Sequence, residues 1–266
     1  MNRTIKALLY PYVVWIAMMI VVPFFLIFFY SITQSRPDSP AIFRFTLQHY
    51  REFFKTENIN ILSKSVILAV ETTILCLVLG YPAAWIISKT NVNIQNMILL
   101  LFILPMWINM LLRTYAWQVI LSRTGLLYTD TAVVIGMVYN FIPFMVLPIY
   151  TAITKIDKSL IEAANDLGAS SKEAFLKVVF PLSMPGVITG IVMVFLPAVS
   201  SFAIPRLLGG GQYVLIGNLI EKQFYLLNNW NFGSAVSVIL MILILISMRF
   251  MRKSGEISGR GGAILW

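Results

Sequence analysis

The sequence has one cysteine, Cys76, and one histidine, His49, among its 266 residues. A lone cysteine excludes an intrachain disulfide and leaves the redox compartment unread. Neither residue has companions at ligand spacing, so a Cys/His metal centre and a cysteine–histidine nucleophile are both ruled out. His49 reads as a loop or interface residue rather than a catalyst. Charge is scarce too: 12% of residues are charged, against about a quarter in an ordinary soluble domain. With 59% hydrophobic residues, the chain belongs in a bilayer. No segment carries the glycine-rich loop ending in Gly-Lys-Ser/Thr that cradles nucleotide phosphates. There is no internal repeat, and apart from a Gly-rich segment, read as a flexible tail over 255–266, no low-complexity stretch. The net charge of +9 reads as an orientation signal and contact with anionic membrane lipid, and no nucleic-acid partner is expected.

What is present is a set of long apolar runs. They lie at 8–30, 66–87, 97–120, 132–152, 187–208 and 234–251. At about 1.5 Å per residue each can cross roughly 30 Å of hydrocarbon, the last one barely. The expected fold is all-α: a polytopic membrane protein with six transmembrane helices over 1–254. The first run lacks the short apolar core and small-residue cleavage site of a secretory signal, so it is expected to stay as an anchor. An even number of spans puts both termini on one side, taken as cytoplasmic. Under that topology eleven basic residues lie inside and nine outside, so orientation rests on the termini more than on the count. Between the first two runs, Pro37 and Pro40 break any early helix, and 46–54 reads as a short amphipathic surface helix. Prolines at 105, 143, 148 and 197 suit a bundle that opens and closes, and equally the ordinary proline content of membrane helices.

One hydrophilic stretch, 155–181, interrupts the apolar pattern and reads as a helical hairpin over 157–180. Its first helix starts at Asp157 or Ser159, with Ser159 and Glu162 spaced as a capping box. Gly168 ends it, because glycine alone takes the left-handed conformation without steric penalty. Ser170 and Glu173 repeat the box for a second helix, which Pro181 is expected to stop. Leu160, Ile161, Ala164 and Leu167 share one face, with Lys158, Glu162, Asn165 and Asp166 elsewhere. Ala163 and Ala164 keep the surface thin enough for close approach of a partner. On capping and periodicity alone, a solvated loop helix remains open.

The run Glu162-Ala163-Ala164, three residues, Gly168, nine residues, then Val178-Val179-Phe180-Pro181 resembles the EAA motif of binding-protein-dependent ABC importer permeases. Val178 and Phe180 stand where Ile and Leu are usual. The resemblance implies a type I (MetI-like) permease bundle, in which this hairpin is the coupling helix seated in a cleft of the ATP-binding subunit. Ser159, Glu162, Ala163, Ala164, Asp166, Gly168, Ala169 and Pro181 would then serve coupling to the ATPase. Four further segments, 79–85, 104–117, 138–150 and 207–224, resemble the membrane subunits of spermidine/putrescine importers. The connection 121–130 is shorter than that pattern.

The resemblance implies a permease of the bacterial plasma (inner) membrane that does no bond chemistry. Its partners would be an ABC ATP-binding subunit dimer that holds ATP and Mg, a second homologous permease and an extracytoplasmic solute-binding protein. The chain itself would hold no cofactor and no metal. A polyamine route needs carboxylates and aromatic faces. The candidates are Glu71, Asp130 and Glu221, with Trp107, Tyr115, Trp117, Tyr139 and Tyr225. Glu71 equally suits a structural pairing with Arg113 or Lys64, and the aromatics equally suit an interfacial belt. Arg113 is expected at the outer interface or bonded to helix carbonyls. The alternatives are another small solute (an anion, an iron complex or another amine), or a self-sufficient secondary transporter, which would call for inverted repeats and several intramembrane carboxylates.

Overall fold

In the computed structural model, which describes residues 3–36, 39–211 and 213–259, the first apolar run forms α1 (Arg3–Ser31). A two-stranded antiparallel hairpin follows, β1 (Thr33–Arg36) and β2 (Ser39–Phe45), with Thr33 opposite Phe45. This hairpin was not expected. The prolines that disfavour helix leave backbone groups to be satisfied by strand pairing instead. The expected surface helix is α2 (Gln48–Phe53). His49 is buried with Nε2 3.2 Å from the Thr33 carbonyl, and the Tyr50 hydroxyl donates to Ser31 at 2.8 Å. His49 is thus a packing residue.

The described chain divides into two units, Met1–Ile61 with Leu219–Leu243 and Leu62–Asn218 with Ile244–Trp266. Within the first, the Asn231 amide donates to the carbonyls of Tyr30 at 3.1 Å and Thr33 at 2.6 Å, fixing the start of α12 (Trp230–Gly259) beside the end of α1. The second unit is built on α6 (Asp130–Thr154), where Ala132, Val133, Met137, Met145, Val146 and Ile149 are fully buried. α9 (Phe180–Ser200) packs along it. Glycine sets that spacing: a Cβ at Gly186 would lie 2.5 Å from that of Ala152 and 2.6 Å from the Pro148 carbonyl oxygen. α3 (Thr56–Lys89) approaches the same helix at Gly80, where a Cβ would lie 3.0 Å from the Met145 side chain.

Among the described residues, five helices are long and apolar enough to cross a membrane, and a bent pair makes a sixth. That pair corrects the expected third span, 97–120. It is α4 (Val92–Trp107) and α5 (Met110–Thr124), bent by 95°. Pro105 cannot supply its backbone donor, Ile108 turns extended, and the Asn109 side chain accepts from the Leu111 N–H at 2.8 Å, so a new helix starts there.

The fifth span also shifts. It starts inside the hairpin and ends at Ser200 instead of 208, because Pro205 cannot donate back to Ser201. The chain restarts as α10 (Ala203–Leu208), whose first turn has the Phe202 carbonyl accepting from the Arg206 N–H at 3.1 Å and from the Asn218 side chain at 2.8 Å. α12 runs through Gly255 to Gly259, so the beginning of the expected tail is helical. Residues 260–266 lie outside the described residues. The short connection from α5 to α6 closes through left-handed Gly125 (φ 72°) and Tyr128 (φ 69°), whose N–H donates to the Leu208 carbonyl at 2.9 Å.

Candidate functional site

The hairpin forms from its caps outward. Its first limb is α7 (Lys158–Asp166), capped by Asp157, whose carboxylate accepts from the Ser159 N–H at 3.0 Å. That N–H, helped by the Ser159 hydroxyl, holds the Asp157 carboxyl below its ordinary value. Asp157 therefore wins over Ser159, and the expected Ser159–Glu162 box does not form: a cap two residues earlier already takes the Ser159 N–H.

At the other end Gly168 has φ 84°. The Ala169 N–H reaches the Ala164 carbonyl at 3.0 Å and the Gly168 N–H reaches Asn165 at 2.9 Å. These are the two bonds of a Schellman cap. The expected Ser170–Glu173 box is complete: the Ser170 N–H donates to Glu173 at 3.0 Å, and the Glu173 N–H donates to the Ser170 hydroxyl at 3.4 Å.

The second limb does not stop at Pro181. α8 (Ser171–Ala174) passes into a π turn over Phe175–Val179, in which the Phe180 N–H reaches back to the Phe175 carbonyl. The wider turn takes up the hydrogen bond that Pro181 cannot make, so the chain continues as α9 with Pro181 in its first turn. The hairpin is therefore the leading end of a transmembrane helix.

Around that turn sits an aromatic cluster that the sequence reading missed. The Phe175 ring lies 4.8 Å from Trp85 and 5.9 Å from Tyr81 on α3, and Phe180 lies 5.7 Å from Tyr81. The Lys89 ammonium sits 4.6 Å over Trp85. The spacing of Tyr81 and Trp85, one helical turn apart, was the available signal. Beside the cluster opens a groove of about 720 Å³ whose lining includes Lys89, Gln95, Lys158, Ile161 and Glu162.

On α7 no residue is buried. Glu162, Ala163, Asp166 and Ser159 are exposed, Ala164 and Ala169 are half-buried, and Pro181 is exposed. Leu167, at 89% exposure, projects from the tip. Its expected apolar face thus splits, with Ile161 turned to the groove and Leu160 and Leu167 outward. α7 is thus a short helix with no fully buried residue of its own.

The candidate route residues are less concentrated. Trp117 and Tyr139 come together, ring centroids 5.4 Å apart. Trp107 and Tyr115 are exposed on α4 and α5. Glu221 and Tyr225 belong to the first unit, Tyr225 with its side chain exposed. Glu71 is exposed on α3 and makes no ion pair among the described residues. Lys64 pairs with Asp130 at 3.5 Å instead, and Nε and one terminal nitrogen of Arg113 are buried with no hydrogen-bond partner among the described residues. Neither proposed structural partner of Glu71 is therefore engaged with it, and the expected bonding of Arg113 to helix carbonyls is not seen at those two nitrogens.

Residues 76–254 match the family described as "Binding-protein-dependent transport system inner membrane component". The chain is similar to the "Spermidine/putrescine transport system permease protein PotB" of Salmonella typhimurium, 37% identical over 247 residues that cover 86% of each chain. The protein of the same name from Haemophilus influenzae is 35% identical over 263 residues and 92% of each chain. In fold it is similar to a chain of the crystal structure of a bacterial ABC transporter involved in the import of the acidic polysaccharide alginate. There the TM-score is 0.78 at 14% identity, with 95% of each chain covered.

Proposed function

Because the chain belongs to the family of binding-protein-dependent transport system inner membrane components, we propose that it is the membrane-spanning permease subunit of an ATP-driven importer of polyamines, spermidine and putrescine. The relatives named for those substrates support the substrate class. The observation that carries the mechanism is the hairpin, whose first limb has no fully buried residue and whose second limb continues into α9.

A separate ATPase dimer holds ATP and Mg. It docks on Ser159, Glu162, Ala163, Ala164, Asp166, Gly168 and Ala169. Closing of that dimer displaces the hairpin. Because α9 starts within the hairpin, the displacement enters a span directly and passes to α6 through the close contact at Gly186. The break between α4 and α5 supplies a hinge. A second homologous permease completes the pore, a solute-binding protein delivers the polyamine, and both termini face the cytoplasm of a bacterium. Glu71 and the Trp117–Tyr139 pair line the route, with Trp107, Tyr115, Glu221 and Tyr225 along it.

The test is reconstitution of this chain with its ATPase, second permease and binding protein in vesicles. ATP-dependent accumulation of spermidine or putrescine is the expected result. Accumulation by this chain alone, or ATP-driven uptake of another solute with no polyamine uptake, overturns the reading.

A further inference from the structure

Three side chains of the second unit meet away from the hairpin: Lys64 in the first half of α3, Asp130 at the start of α6 and Tyr213 in the loop after α10. The Lys64 ammonium lies 3.8 Å from the centroid of the Tyr213 ring, over its face, and 3.5 Å from Asp130. The ring is well held: Tyr213 is 7% exposed, Gly209 leaves room beside its Cβ, and the Ile216 N–H donates to the Ser65 hydroxyl at 2.8 Å, tying this loop to α3 next to Lys64. The Tyr213 hydroxyl is buried near the Asp130 carboxylate but outside hydrogen-bond geometry. Burial, and then the Asp130 and Glu71 carboxylates, push that hydroxyl above its ordinary value, so both carboxylates act on the same ring.

A carboxylate beside an aromatic face is what a primary ammonium seeks. The recognition is indifferent to whether that ammonium ends a lysine or a free amine. Two features make the resident lysine replaceable. Its ion pair is half exposed, with side-chain exposures of 46% for Lys64 and 68% for Asp130, and such pairs are weak. A second carboxylate, that of Glu71, also acts on the Tyr213 hydroxyl. Glu71 stands seven residues after Lys64 on α3, two turns along one face, and leaves a negative charge unneutralised. We propose that Asp130, the Tyr213 ring and Glu71 form a binding site for a primary alkylammonium, and that the Lys64 ammonium is a tethered occupant which an incoming amine displaces. α6 runs 25 residues from Asp130 to Thr154, just before the hairpin, so at about 1.5 Å per residue the site lies a membrane thickness away. It is then the first amine subsite at the outer mouth. This inference rests on the polyamine reading above.

The test measures binding of radiolabelled putrescine to the complex of this chain with its ATPase and second permease in lipid nanodiscs. The solute-binding protein is omitted so that its own pocket does not contribute. Asp130→Asn and Tyr213→Leu should weaken binding several-fold, Tyr213→Phe less than Tyr213→Leu because the ring remains, and Lys64→Met should tighten it. A merely structural Lys64–Asp130 pair predicts that Lys64→Met and Asp130→Asn act in the same direction. That result, or no shift in either, or no putrescine binding by the unsubstituted complex, overturns the site while ATP-driven polyamine uptake in vesicles stays intact. Absence of that uptake overturns the polyamine reading and the site with it.

Discussion

The Tyr81 and Ser183 hydroxyls lie 2.8 Å apart and join α3 to α9 just beyond the π turn. Ser183 is fully buried and also donates to the Phe180 carbonyl at 2.9 Å. The bond and the Phe175 ring between Tyr81 and Trp85 clamp the root of the hairpin to a second span. Phe175→Ala should loosen that clamp without touching the docking surface. Polyamine-stimulated ATP hydrolysis should persist while solute imported per ATP falls. Tyr81→Phe, which removes one hydrogen bond, should cost about 0.5–1.5 kcal/mol of stability and give a milder fall in the same ratio. An unchanged ratio in both variants removes the clamp from the mechanism.

Gly168 has open space where a Cβ would stand, so it is held by its φ of 84° and not by crowding. Gly168→Ala should cost about 1–2 kcal/mol through the left-handed backbone alone. Gly168→Asp tolerates that backbone better but adds a negative charge at the C-terminal end of α7, where the helix dipole is already negative. It should leave the chain membrane-inserted yet abolish both transport and stimulated ATP hydrolysis. Normal transport in Gly168→Asp would remove the coupling role from the hairpin.

Gly186 makes the reverse case. A Cβ there meets the Ala152 Cβ and the Pro148 carbonyl at 2.5 and 2.6 Å, one of them backbone that cannot swing aside. Gly186→Ala should force α9 off α6 and destabilise by about 1–3 kcal/mol, read as a lower midpoint of thermal unfolding in detergent. An unchanged midpoint would show that the helices are not held that close.

Much of this was legible in the sequence because it is local. Gly168 and the Ser170–Glu173 box are decided by residues within one turn of each other, and the structure forms both. What failed also had a physical cause. Pro181 reads as a stop in the sequence, but a π turn lets a helix pass a missing donor. The third apolar run reads as one helix because composition does not register that Asn109 caps a new one. The aromatic clamp and the Lys64–Tyr213 contact bring together residues about a hundred or more positions apart, which no spacing rule reaches.

Glu71 is exposed on α3 with no ion pair among the described residues, so removing its charge breaks no salt bridge. Glu71→Gln should leave the amount of inserted protein unchanged and raise the polyamine concentration needed for half-maximal uptake. An unchanged uptake curve would return Glu71 to a packing role.

Asp157 gives the hairpin an acid limit. Its carboxylate caps α7, and the Ser159 N–H holds its ionisation below the ordinary 3.8. A group whose folded value is depressed stabilises the fold above its unfolded value and loses that contribution as pH falls through the folded one. The cap should therefore be fully present at neutral pH and fail only below 3.8. Hydrogen exchange at the Ser159 amide should be slow near neutrality and, once corrected for the intrinsic pH dependence of exchange, lose protection in that acid window. In Asp157→Ala the protection should be low at every pH and the acid step gone. A protected Ser159 amide in Asp157→Ala would mean that Ser159 and Glu162 can cap the helix themselves, and that the choice of Asp157 is not what starts the hairpin.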